Sequence, residues 1–199
     1  MLKLARLATA LALTGLAAGL PACSKQAATA ASTQASVDGP GGPFTLVNQD
    51  GKPVDQSVLN GKWSVVFFGY TFCPDVCPTT LTTLGQTMTL LGPQANDVQV
   101  VFVSIDPARD TPAALKTYLT SRVFPKNIMG LTGTPAQIAQ VAKGYKVYYQ
   151  KEGTGSTYSM DHSTALYVMG PDGQFRTVIA DGLTPQQDAQ QLTSAMSGA

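Results

Sequence analysis

Histidine occurs once in the 199 residues, tryptophan once and cysteine three times. A single imidazole excludes any site that needs two, and three cysteines are too few to staple a disulfide scaffold. Charge is scarce as well: Asp, Glu, Lys and Arg make up 13% of the chain, about half the usual share. The 44% hydrophobic content excludes a disordered chain. Thirteen basic residues against twelve acidic ones give a formal charge of +1, so no basic field points to nucleic acid as a partner. No internal repeat is present, and the length fits one domain of ordinary size. The long apolar run of a membrane span is missing too. The fourteen residues from Leu7 to Leu20 fall short of the roughly 20 that a spanning helix needs.

That run is instead the apolar centre of an export signal. Lys3 and Arg6 form a positive n-region ahead of it, and residues 1–23 read as a signal peptide. Its end, Leu20-Pro21-Ala22-Cys23, resembles a bacterial lipobox, with Cys23 as the lipidation site. Without Lys3 and Arg6 the balance becomes eleven basic against twelve acidic residues, or −1. Residues 24–42, SKQAATAASTQASVDGPGG, contain no large apolar side chain except Val37 and read as a flexible linker. As a coil, nineteen residues span roughly 24 Å r.m.s.. The expected location is therefore the periplasmic face of a bacterial membrane, held by a lipid anchor, or otherwise free in the periplasm.

From residue 43 to residue 199 strands and helices alternate. Phe44–Asn48 and Pro53-Val54 flank an Asp50-Gly51 turn, the pattern of a small N-terminal hairpin. Trp63–Phe68 and Val98–Ile105 are continuous β-branched and aromatic runs, as expected of strands buried on both faces. Leu81, Leu84, Met88 and Leu91 recur at helical spacing between about Pro78 and Leu91, and Gly92-Pro93 ends that helix. Thr111-Pro112, Thr134-Pro135 and Thr184-Pro185 each offer a capping hydroxyl followed by proline at the first helical position. Thr134 with Gln137 and Thr184 with Gln187 add capping-box spacing. Tyr145–Gln150, Thr164–Met169 and Phe175–Ile179 read as further strands, with a final helix near Thr184–Met196. The pattern predicts a three-layer α/β sandwich around a parallel-containing sheet.

The chemistry falls where the first central strand ends, in Cys73-Pro-Asp-Val-Cys77-Pro78. Ligands of open α/β folds gather at the carboxyl ends of strands. Two cysteines four apart at a helix start bring their sulfurs near one another, and the helix terminus favours thiolate. Cys77-Pro78 also copies the Thr-Pro starts, which places Cys77 at or near the cap. Such a pair can exchange disulfides, bind a soft metal, or do both; an inert structural disulfide is the plain alternative. His162 lies in Ser159-Met-Asp-His-Ser163 just before a buried strand. In a thioredoxin-like sheet the loop there faces the redox cysteines and carries a cis-proline. Between Lys126 and Pro171 the only proline is Pro135, a helix start, so an imidazole stands where an oxidoreductase places its substrate-aligning proline. A lone histidine can equally be an ordinary loop residue.

Three segments in order, Cys73-Pro-Asp-Val-Cys77-Pro78, Val103-Ser-Ile-Asp106-Pro-Ala-Arg109-Asp110-Thr-Pro112 and Asp161-His162-Ser163, resemble the Sco/SenC copper-chaperone family. The resemblance covers the chain from about Pro43 to the last helix. It implies a thioredoxin-like fold, one copper ion per chain as Cu(I) or Cu(II), and Cys73, Cys77 and His162 as its ligands. It also implies help in assembling the dinuclear copper centre of cytochrome c oxidase subunit II. Two thiolates and an imidazole suit Cu(I), and zinc is the obvious competitor. Asp161 and Asp106 are candidates for an outer shell around the ligands, and Met160 offers a soft sulfur nearby. Asp106 and Arg109-Asp110 also suit a turn into the Thr111-Pro112 helix. A copper donor and a thioredoxin-like reductant for the Cys73–Cys77 disulfide are the expected further partners, since a disulfide supplies no thiolates. The competing class is an extracytoplasmic thiol–disulfide oxidoreductase acting on oxidase subunit cysteines. The CxxxC spacing and the missing proline speak against it.

Overall fold

A computed structural model describes residues 39–198. The signal peptide, Cys23 and the linker up to residue 38 lie outside the described residues. No helix among those described is long and apolar enough to cross a membrane.

Three parallel strands form the centre: β3 (Trp63–Gly69), β4 (Val98–Ser104) and β5 (Ile128–Thr132). The N-terminal hairpin of β1 (Thr45–Asn48) and β2 (Pro53–Asp55) adds antiparallel to β5. On the other side β8 (Leu166–Met169) adds antiparallel to β3, and β9 (Phe175–Ile179) antiparallel to β8. The sheet order is β2-β1-β5-β4-β3-β8-β9, with β6 (Tyr149–Glu152) and β7 (Ser159–His162) paired apart from it.

Every residue of β3 is buried, as its unbroken apolar run requires of a strand covered on both faces. Helix α1 (Val76–Leu91) connects β3 to β4, and α2 (Pro112–Tyr118) connects β4 to β5. Two right-handed crossovers advancing in one direction put both helices on one face of the sheet. Phe67 meets Phe102 edge-on there, and Phe102 meets Tyr118 at the end of α2. Helix α4 (Pro185–Ser197) packs against α1. On the opposite face Phe68 packs on Tyr145, which caps the C-terminus of α3 (Pro135–Gly144). The architecture is thus the three-layer sandwich expected.

The Thr-Pro starts hold at all three helices, and both capping boxes are formed. Four expectations change. Tyr145 ends a helix instead of opening a strand; Lys146 follows at φ 57, and pairing begins only at Tyr149. Strand β5 was not apparent in the sequence, because its five residues, Ile-Met-Gly-Leu-Thr, are interrupted by a central glycine and show no alternation. Helix α1 begins at Val76 with Asp75 as its cap, so Cys77 is the second helical residue and Pro78 the third. The last part of the expected linker is engaged by the fold: Gly41 N–H donates to the Gly144 carbonyl at 3.0 Å. Glycine is required on both sides of that contact: a Cβ at Gly144 would lie 2.5 Å from the Gly41 oxygen, and Gly41 itself sits at φ 132.

Candidate metal centre

The cysteines stand where β3 gives way to α1. Their loop is fixed from below by Asp110, which is fully buried. Its carboxylate accepts from Ser104 Oγ (2.6 Å), Thr71 Oγ1 (2.6 Å) and Thr71 N–H (3.1 Å). Burial raises the Asp110 pKa, and these hydrogen bonds oppose the shift. The turn then closes as Cys73 N–H donates to the Tyr70 carbonyl.

Cys73 is half-buried and Cys77 fully buried, and neither is in a disulfide. The Cys77 amide points at the Cys73 sulfur at 3.4 Å, as a helix N-terminus does toward an acceptor. The expectation that this terminus favours thiolate fails at Cys77. Burial pushes its thiol far up, and the neighbouring Cys73 adds to the shift. Desolvation wins over the helix dipole because the sulfur sits against the sheet. A Cβ on Gly69 would lie 2.8 Å from it.

His162 reaches this sulfur from the other side. It is the last residue of β7, paired with Tyr149, and is half-buried instead of lying in an open loop. Its Nδ1 is 2.8 Å from the Ser163 carbonyl, which can only accept, so the proton is on Nδ1. Nε2 is left with its lone pair 3.9 Å from Cys77 Sγ. Burial lowers the imidazole's pKa, which keeps the ring neutral. Tyr70, itself buried, stands edge-on to the ring at 5.9 Å.

Asp161 alternates to the exposed face of β7, and the Ser163 carbonyl is the hydrogen-bond partner of the imidazole; Asp161 acts on the ring only through its charge. Asp106 is buried, and its carboxylate is occupied by Arg109 and by the Tyr158 hydroxyl at 2.6 Å. Its backbone carbonyl accepts from Arg109 and Asp110, so it does organise the turn toward α2. Met160 packs against the core. Tyr70 and Tyr158 are site neighbours that the sequence reading missed, as is the role of the Ser163 carbonyl. Two aromatics around the cysteine motif were visible signals, whereas a backbone carbonyl leaves no trace in sequence.

A cleft of ≈ 300 Å³ opens between the cysteine loop and β7, lined by Cys73, Tyr70, Met160, Asp161 and His162. A larger groove of ≈ 490 Å³ beside α1 holds neither a thiol nor an imidazole, so chemistry and not size selects the site. Among the described residues no three His, Cys, Asp or Glu side chains are already closed into a ligand cluster. The three donors form two adjacent pairs that share Cys77.

The chain matches the sequence model of SCO1/SenC over residues 32–197 and belongs to that family. It is 42% identical to the protein SenC of Rhodobacter capsulatus over 153 residues, covering 76% of this chain and 68% of SenC. The structure of Bradyrhizobium japonicum ScoI with copper bound superposes with a TM-score of 0.71 at 43% identity, covering 78% of this chain and 99% of ScoI. BsSco, described as a member of the Sco family of cytochrome c oxidase assembly proteins with a disulfide switch, superposes at 0.64 with 28% identity, covering 81% and 96%. The fold is therefore the thioredoxin-like fold of the Sco proteins. The chain spans 40% and 51% of the length of two mitochondrial relatives, from Arabidopsis thaliana and Saccharomyces cerevisiae.

Proposed function

We propose that this chain carries one copper ion on Cys73, Cys77 and His162 and delivers it to the dinuclear centre of cytochrome c oxidase subunit II. It would do so from a lipid anchor at Cys23 on the periplasmic side of a bacterial membrane. The observation that carries the reading is the imidazole: neutral, tied at Nδ1 and presenting a bare Nε2 to the Cys77 sulfur at 3.9 Å. A histidine fixed through its other nitrogen is the usual form of a metal ligand. Two sulfurs and one nitrogen form a soft set that satisfies Cu(I), with room for Cu(II) if a further oxygen or nitrogen joins. Holding the ion on two thiolates would release the thiol protons of Cys73 and Cys77, including the one that burial holds on Cys77. Uptake therefore strengthens as pH rises.

The test is copper retained after dialysis against a competing chelator. Wild type is expected to hold one ion per chain, Cys73→Ala and Cys77→Ala none, and His162→Ala Cu(I) but little Cu(II). In cells, His162→Ala should impair oxidase maturation. Two retained ions per wild-type chain, or full Cu(II) retention by His162→Ala, would overturn the three-ligand site. Thiol–disulfide exchange is a second reading, supported by two adjacent unbonded thiols and by the disulfide switch described for BsSco. It needs only the cysteines. Normal oxidase activity with His162→Ala and none with Cys73→Ala would make it the better account.

A further inference from the structure

Arg109 lies within the turn after β4, yet its side chain leaves that turn and spans two regions of the site. Its guanidinium carbon is 3.6 Å from the centre of the Tyr158 ring and 4.6 Å from that of Phe72, with Tyr70 at 5.7 Å. Phe72 immediately precedes Cys73, and Tyr158 immediately precedes β7, the strand that ends in His162. Nη1 donates to the Tyr158 carbonyl at 2.9 Å, and Nε pairs with Asp106, whose other oxygen takes the Tyr158 hydroxyl. Nη2 is buried with no hydrogen-bond partner, so ring faces are its surroundings. The guanidinium joins the cysteine loop, the Asp106 turn and the root of β7.

We propose that Arg109 is a positioning residue, setting where the His162 imidazole stands relative to Cys73 and Cys77. The β6–β7 ribbon lies outside the main sheet, and a two-stranded ribbon alone is marginal in water. Something must fix it against the cysteines, and this side chain holds both its backbone and its aromatic ring. Lysine keeps the charge but loses the planar stack and the fork. The inference rests on the copper reading for its consequence, but not for its geometry.

The chain has one histidine, so the imidazole-nitrogen region of a long-range nitrogen–proton correlation spectrum of the apo protein reports that ring alone. In Arg109→Lys and in Tyr158→Leu the His162 ring resonances should shift and broaden, while far-ultraviolet dichroism stays that of wild type. Cu(II) affinity should fall by about tenfold to a hundredfold, the usual cost of losing an outer partner. The nitrogen hyperfine signature in the Cu(II) electron paramagnetic resonance spectrum should weaken, and Cu(I) affinity should fall less. Tyr158→Phe keeps the ring face and should restore most of the wild-type behaviour. Should Arg109→Lys fail to fold, Tyr158→Leu, at a partly exposed position, decides the matter. Folded variants with wild-type His162 resonances and wild-type nitrogen hyperfine would overturn the proposal. A wild-type Cu(II) spectrum without nitrogen would sink the copper reading instead, and the apo spectra would still judge the positioning role.

Discussion

Cys77 and His162 face one another across 3.9 Å, yet their supports differ in kind. Cys77 is part of the core: its sulfur lies over β3, every residue of which is buried, and Leu81 and Leu84 anchor the helix that carries it. His162 comes from a separate two-stranded ribbon whose other strand, β6, is exposed from Gln150 to Glu152. His162 lies on the less exposed face of β7 with Tyr70 beside the ring, and Arg109 holds Tyr158 at the strand's root. The Cys77 thiol, locked into a close-packed interior, cannot shift without disturbing the sheet, whereas Cys73 is half-buried at the cleft. The imidazole on its peripheral ribbon depends instead on a few tertiary contacts, such as those of Tyr70 with the ring and of Arg109 with Tyr158. In the proposed copper site, one sulfur is therefore set by the core and the nitrogen by contacts between distant segments.

The fixed side can be broken most directly at Gly69. A Cβ there would lie 2.8 Å from Cys77 Sγ and 2.9 Å from Phe102 Cε2, both too close. Gly69→Ala is expected to cost about 1–3 kcal/mol, the range for overpacking a core, and to weaken copper retention by displacing the sulfur. Urea denaturation and copper content measure the two effects. Unchanged stability would mean that the thiol side is more yielding than its burial indicates.

A smaller and more diagnostic contrast lies in pH. On the core side, burial and nearby Asp181 raise the Asp188 pKa from 3.8 to about 6. The fold therefore favours its protonated form; that contribution is full below pH 3.8 and is lost as pH rises through 6. Asp188 Oδ1 is buried without a partner among the described residues, so nothing offsets the charge. After discounting for solvent screening, Asp188→Asn should gain about 1 kcal/mol above pH 6 and nothing at pH 4. On the ribbon side the sign reverses. His162 has a folded pKa below 6.5, so its contribution is present above pH 6.5 and is lost as the pH falls through the folded value. His162→Gln should remove that acid-side loss. Thermal melts of the apo protein from pH 4 to 8 should therefore show opposite slopes removed by the two variants. Two changes of the same sign would contradict the assignment.

The same division explains what could be read from sequence. The core side announces itself: Trp63–Phe68 and Val98–Ile105 are unbroken apolar runs, and Thr-Pro pairs mark three helix starts through side-chain chemistry that acts within four residues. The cysteine motif sits on that frame, so its place was legible. The ribbon is not. Ser159–His162 is polar and short, with no alternation strong enough to mark a strand, and its neighbours are set by contacts across more than forty residues, such as Arg109 with Tyr158. Cys77-Pro78 imitated a cap-and-proline start, but Asp75 holds the cap position, and only the backbone dihedrals separate the two frames. The protonation of Cys77 was misread for a related reason, since desolvation depends on what covers the sulfur and not on its position along the helix.

In the proposed site Cys73, Cys77 and His162 converge on one metal ion. X-ray absorption at the copper edge of the loaded, reduced protein tests it most directly. Two sulfur scatterers and one nitrogen are expected, with the outer-shell pattern of an imidazole that disappears in His162→Ala. A sulfur-only shell in wild type, or an imidazole pattern that survives His162→Ala, would contradict it.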